Sequence, residues 1–202
     1  LNNLVGYGAV GILAVTLAVS LLGLFAAPKL IERSLLRPYW LTRRREYERL
    51  ITSGFVHADL GHLIFNMITF YSFGFTLERH IGTMNFLALY FIGMVLSELG
   101  TCIKHRNNPE YASLGASGAI LAVLFASIVY FPDQSLFIIP IPVPIPAPLF
   151  AVGYLAYTWW ASRHSKGRIN HDAHIGGALT GLAYVALTDP GAYQRVLHMI
   201  GM

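Results

Sequence analysis

Charge is what this sequence has least of. Only 12% of its 202 residues are Asp, Glu, Lys or Arg, while 55% are hydrophobic; roughly a quarter would be charged in an average soluble domain. Mean hydropathy is +0.55. That balance excludes an ordinary soluble domain, and the length accommodates one membrane bundle and little else. A single cysteine, Cys102, excludes an internal disulfide. No two aspartates fall within the apolar runs, so a paired-aspartate mechanism has no residues to use. The zinc-binding helix pattern His-Glu-x-x-His is missing too, since His62 is followed by Leu63-Ile64-Phe65-Asn66. There is no internal repeat, and from Leu1 to Pro28 there is no charge at all.

What is present divides into apolar runs. Val5 to Ala27 is long enough to span a bilayer. Lys29 to Glu48 is an Arg-rich connection in which Ile31, Leu35, Leu36 and Tyr39 recur at helical spacing, as in an amphipathic segment lying in the membrane interface. The spacing predicts helices over 4–27, 60–78, 83–103, 115–131, 148–162 and 173–188, an all-α membrane protein formed by one domain over 1–202. Prolines 140, 142, 144, 146 and 148 alternate, which makes 139–148 extended and lets a helix start near Pro148. The short helix that follows, tethered by this segment, is the element expected to yield when a membrane substrate enters sideways.

Polar side chains in such a chain are few and informative, because hydrocarbon penalises them. His62 and Asn66 are four residues apart and share a helix face. His57 precedes them. His171-Asp172-Ala173-His174 opens the last long run, and Gly177 and Gly181 behind it form a face that admits close backbone approach. Gly115-Ala116-Ser117-Gly118 opens another run. Apposing the two glycine-bearing helices brings His174 near Ser117, a nucleophile and its base. Charge developing on a carbonyl oxygen then needs donors, and the Ser117 backbone N–H, the Asn66 amide and the His62 ring are available. Zinc on His62, His171 and His174 is the rival use of the histidines, and packing alone is the rival use of the small residues.

These motifs together resemble the rhomboid intramembrane serine proteases. The likeness covers about residues 49–187 and rests on four patterns in order: Gly115-Ala116-Ser117-Gly118; His57, His62, Asn66; Gly74, Glu78, Gly82; and Ala173, His174, Gly177, Gly181. The resemblance implies a six-helix rhomboid-like bundle with an interfacial first loop. It implies a Ser117–His174 dyad, an oxyanion hole from Ser117, Asn66 and His62, and supporting roles for His57, Gly115, Gly118, Gly177, Gly181, Glu78 and Arg49. It also implies transmembrane protein substrates, no metal and no cofactor. Two departures stand out. Glu48-Arg49 replaces the family's frequent Trp-Arg, and Leu121 replaces the aromatic on which the histidine often stacks, so the imidazole is expected to rest on an aliphatic surface.

Two other functions fit the composition: a catalytically inactive rhomboid-like protein that binds membrane clients, and a small transporter. Nucleic acid is excluded as a partner, since the basic cluster is bracketed by spans; the oligomeric state is not set by the sequence. A multi-pass protein of a bacterial cell (inner) membrane is the expected location. All of the 14 Lys and Arg except Arg79 and Arg195 fall on the side of the catalytic face. The positive-inside rule puts that side in the cytoplasm, whereas six-helix bacterial rhomboids generally open outward. The two indications oppose each other.

Overall fold

The structure is a computed structural model describing residues 6–138, 141–165, 167 and 169–199. It is mostly helical. In chain order the helices are α1 (Tyr7–Phe25), α2 (Pro28–Ser34), α3 (Pro38–Arg43), α4 (Arg49–Thr52), α5 (Leu60–Ile81), α6 (Thr83–His105), α7 (Ser117–Tyr130), α8 (Ala147–His164), α9 (His171–Thr188) and α10 (Ala192–Met199). Three of them, α1, α5 and α6, are long and apolar enough to cross a membrane; α7 is a shorter apolar helix.

α7 is the centre. Every residue from Gly118 to Tyr130 is buried, and α5, α6, α8 and α9 all pack against it. At 14 residues it is about 21 Å long, well short of the roughly 30 Å hydrocarbon layer, so a helix start can lie below the interface. The approach from 110 to 116 is not helical. The first loop pins it: Leu36 and Ser113 exchange two backbone hydrogen bonds of 2.9 Å, and Gly115 N donates to Ser53 O at 2.9 Å. The amphipathic stretch of that loop folds as α2 and α3, each with proline in its first turn. Arg43 and Arg44 lie over the Tyr39 and Trp40 rings at 3.9 and 3.7 Å, which suits an interfacial segment.

Small residues set the contact between α7 and α9. A Cβ at Gly177 would meet the Gly118 carbonyl, and one at Gly181 would meet the Ala122 carbonyl. A Cβ at Gly118 would in turn meet the Ser97 side chain of α6 and lie 3.5 Å from Ala173 O. Backbone meets backbone along this seam, as in membrane helix pairs generally. Glu78 fastens α1 from α5. Its carboxylate accepts from Gly8 N at 2.9 Å, Ala9 N at 2.7 Å and the Thr83 hydroxyl at 2.7 Å, answering free N–H groups of the α1 first turn.

The proline-rich segment differs from a lone extended tether. Strand β1 (Ser135–Ile138) pairs antiparallel with β2 (Ile141–Pro146), with an irregularity at Phe137/Ile138. Alternate residues of β2 retain an N–H, so proline at every second position leaves one edge able to pair. Ile139 and Pro140 lie outside the described residues.

A Gly181→Val protein should lose at least about 3 kcal/mol of stability, because the Ala122 backbone cannot give way. Gly11→Ala, where a Cβ meets nothing within 4 Å, should be neutral or gain up to about 1 kcal/mol. Thermal unfolding in detergent distinguishes the two; equal stabilities would deny the seam its role.

Candidate active site

Ser117 is the first residue of α7. Helix geometry leaves the N–H groups of that first turn without carbonyl partners in the helix, and the dipole there favours negative charge. His174 lies in the first turn of α9. The cap of that helix is Asn170, whose side-chain oxygen accepts from Ala173 N at 3.1 Å and from the Thr101 hydroxyl at 3.0 Å, while its amide donates to Glu98 at 3.2 Å. The start of α9 is therefore tied to α6. With both helices fixed, Ser117 Oγ and His174 Nε2 are 2.9 Å apart, and both residues are half-buried.

His62 reaches the same turn from α5. Gly115 has φ +114°, a conformation open to glycine, and a Cβ there would lie 2.6 Å from His62 Cε1. Glycine thus lets the imidazole approach the chain two residues before Ser117. Asp59 caps α5 by accepting from His62 N at 2.8 Å. Asn66 is buried and its amide donates to His57 Nε2 at 2.9 Å. His57 Nδ1 lies 2.8 Å from the Ser20 hydroxyl of α1, which donates to Phe55 O at 2.9 Å. This chain of bonds is consistent with the neutral Nδ1–H tautomer. His57 sits in the connection between α4 and α5, wholly buried. Burial, with the nearby His62 ring adding and Asp59 opposing, pushes its pKa down from 6.5 to about 3.

Of the remaining residues singled out from sequence, Gly118, Gly177 and Gly181 lie on the α7–α9 seam, and Glu78 lies at the α1 start, remote from Ser117. Arg49 pairs with Glu46 at 3.1 Å and donates to Leu35 O at 3.0 Å, bracing the first loop. It also lines a cavity of about 340 Å³ with Lys29, Glu32, Arg33 and Arg37, which does not include Ser117 or His174.

A profile described as the Rhomboid domain matches residues 44–190. The chain belongs to the rhomboid family. It is 31% identical over 179 residues to the mitochondrial Rhomboid protein 1 of Saccharomyces cerevisiae, covering 82% of this chain and 49% of that one. It is 31% identical over 147 residues to the mitochondrial RHOMBOID-like protein 12 of Arabidopsis thaliana, covering 64% and 43%. It is 33% identical over 143 residues to the mitochondrial presenilin-associated rhomboid-like protein of Homo sapiens, covering 67% and 36%. The chain thus spans less than half the length of these relatives. They also correct the expected location: all three are mitochondrial by name, which overturns a bacterial cell membrane. An apolar composition reports a bilayer without saying which one, since every cell membrane has a hydrocarbon core of about 30 Å.

Beside the aliphatic surface expected at Leu121, the imidazole has an aromatic neighbour that the sequence did not announce. Leu121 is buried in a core cluster with Leu124, Phe125 and Ala178. That neighbour comes from α8: the Tyr154 ring lies 6.5 Å away and 26° from parallel, and its hydroxyl is 3.0 Å from His174 Nδ1. Asn170, before a helical run, was open to reading as a cap. Nothing in the sequence relates Tyr154 to His174.

His57 gives a pH test. Its folded pKa lies below the unfolded value, so its stabilising share is complete above about pH 6.5 and is lost as pH falls toward about 3. Melting temperature should therefore decline over that window in the parent and decline less in His57→Gln. An identical acid slope in the two proteins would reject this.

Proposed function

We propose that this rhomboid is an intramembrane serine endopeptidase, with α1, α5, α6, α7, α8 and α9 as the six spans of one membrane domain. The observation that carries the reading is the 2.9 Å separation of Ser117 Oγ and His174 Nε2 at adjoining helix starts, in a chain of this family. His174 Nε2 takes the hydroxyl proton as Oγ attacks the scissile carbonyl. The Ser117 N–H, the second N–H of the Asn66 amide and the His62 ring face the growing oxyanion. The proton on Nε2 passes to the leaving nitrogen, and the acyl group stays on Ser117. Water, activated by the same imidazole, attacks the ester, releasing the carboxylic acid and restoring the hydroxyl.

Three spanning-length helices and a half-buried serine support a substrate that is itself a transmembrane segment, entering from lipid. α8 is the element best suited to yield. Among its described residues only Ala147, Thr158 and Ala161 are buried, while Leu149, Val152, Tyr157, Trp159 and Trp160 are exposed. The names of the relatives support a mitochondrial membrane as the site of action.

Purified protein in proteoliposomes should cleave a transmembrane substrate, and a fluorophosphonate should label Ser117. Ser117→Ala and His174→Ala should abolish cleavage with the fold retained, and Asn66→Ala should slow it on the order of 10²-fold. Cleavage by Ser117→Ala would move the chemistry elsewhere. A folded parent with neither cleavage nor labelling would favour the client-binding function.

A further inference from the structure

A histidine that serves as base must present an unprotonated Nε2 to the hydroxyl, so its other nitrogen must carry the proton. Which nitrogen does so is set by the partner of the other. In this site the partner of His174 Nδ1 is the Tyr154 hydroxyl, 3.0 Å away. A hydroxyl can accept or donate. If it accepts from Nδ1–H, Nε2 is free to take the Ser117 proton; if it donates, the proton sits on Nε2 and the dyad is idle.

Thr158 favours the first of these. Its Oγ1 is buried without a hydrogen-bond partner, one turn beyond Tyr154 on the same helix, where side chains four residues apart are neighbours. An unpaired buried oxygen is costly; a Tyr154 proton directed along the helix toward it leaves a lone pair for His174 Nδ1–H. The ring itself is held independently, by Phe150 at 5.5 Å and Phe125 at 5.9 Å.

The geometry points to Tyr154 as the positioning residue of the proposed dyad, holding His174 in the tautomer that can accept the Ser117 proton. This rests on the protease reading above. It takes the place of the stacking aromatic absent at Leu121, with one difference: the support comes from α8. Displacement of α8 by an entering substrate removes the hydroxyl from Nδ1, and the base is set again only when α8 is seated. Entry and chemistry are thereby separated in time.

Tyr154→Phe keeps the ring and its aromatic contacts and deletes only the hydroxyl. With a transmembrane substrate in proteoliposomes, kcat should fall on the order of 10-fold or more, with KM and melting temperature unchanged and fluorophosphonate labelling of Ser117 slowed in parallel. Thr158→Val, which removes the buried hydroxyl one turn from Tyr154, should lower kcat to an intermediate value. Parental kcat in Tyr154→Phe, or a loss confined to KM or to thermal stability, would overturn the assignment. An inactive and unlabelled parent would overturn the protease reading and this inference with it, whereas an active parent with an indifferent Tyr154→Phe would overturn this inference alone.

Discussion

Backbone contact between α7 and α9 is the constraint on which the rest of the molecule depends. Carbonyls of Gly118 and Ala122 lie where side chains at Gly177 and Gly181 would be, so the two helices sit closer than any other residue would allow. In lipid there is no hydrophobic force to press helices together; dispersion at short range and polar contacts must do it. The seam begins one residue after Ser117 and three after His174. The same glycines that hold the core together therefore fix the distance between the hydroxyl and the imidazole at their ends.

A seam of this kind sets the spacing but not the heights of the helices, and buried polar groups supply that. Asn170 and Thr101 tie the first turn of α9 to α6. Glu78 grips the start of α1, and His57 links the Ser20 hydroxyl of α1 to the Asn66 amide of α5. The first loop clamps the approach to Ser117 through Leu36 and Ser53. Each of these groups would be expensive in hydrocarbon if left single, so each bond opposes sliding of one helix along another. Rigidity on this side of the bundle contrasts with α8, which buries little and hangs from a proline-rich strand.

The proposed chemistry uses both properties. A hydroxyl attacks a carbonyl only from a pre-set position, which a close-packed α7–α9 pair can keep. A transmembrane substrate reaches it only if something else moves. In the proposed mechanism Tyr154 belongs to the moving part and His174 to the fixed part, so their hydrogen bond would report whether the two are assembled.

Much of this was legible without coordinates. Helical runs, the membrane class and the pairing of a Gly-flanked serine with a Gly-flanked histidine follow from composition and from spacing along single helices, where residues three or four apart are neighbours whatever the fold. The pairing of β2 with β1, the grip of Glu78 on α1 and the bracing of Asn66 by His57 join residues remote in sequence, and no local pattern announces them. Tyr154 is the sharpest case. In sequence it is one bulky residue among several on a short helix, and only Leu121 stood out, as a missing aromatic. Only the rotation of α8 against α9 turns its hydroxyl toward Nδ1, because helix rotation is decided by the sum of side-chain packing between elements and not by the order of residues within one. The sequence by itself determined that this is a rhomboid chain with a serine and a histidine at two helix starts. The tertiary structure alone decided what holds the histidine.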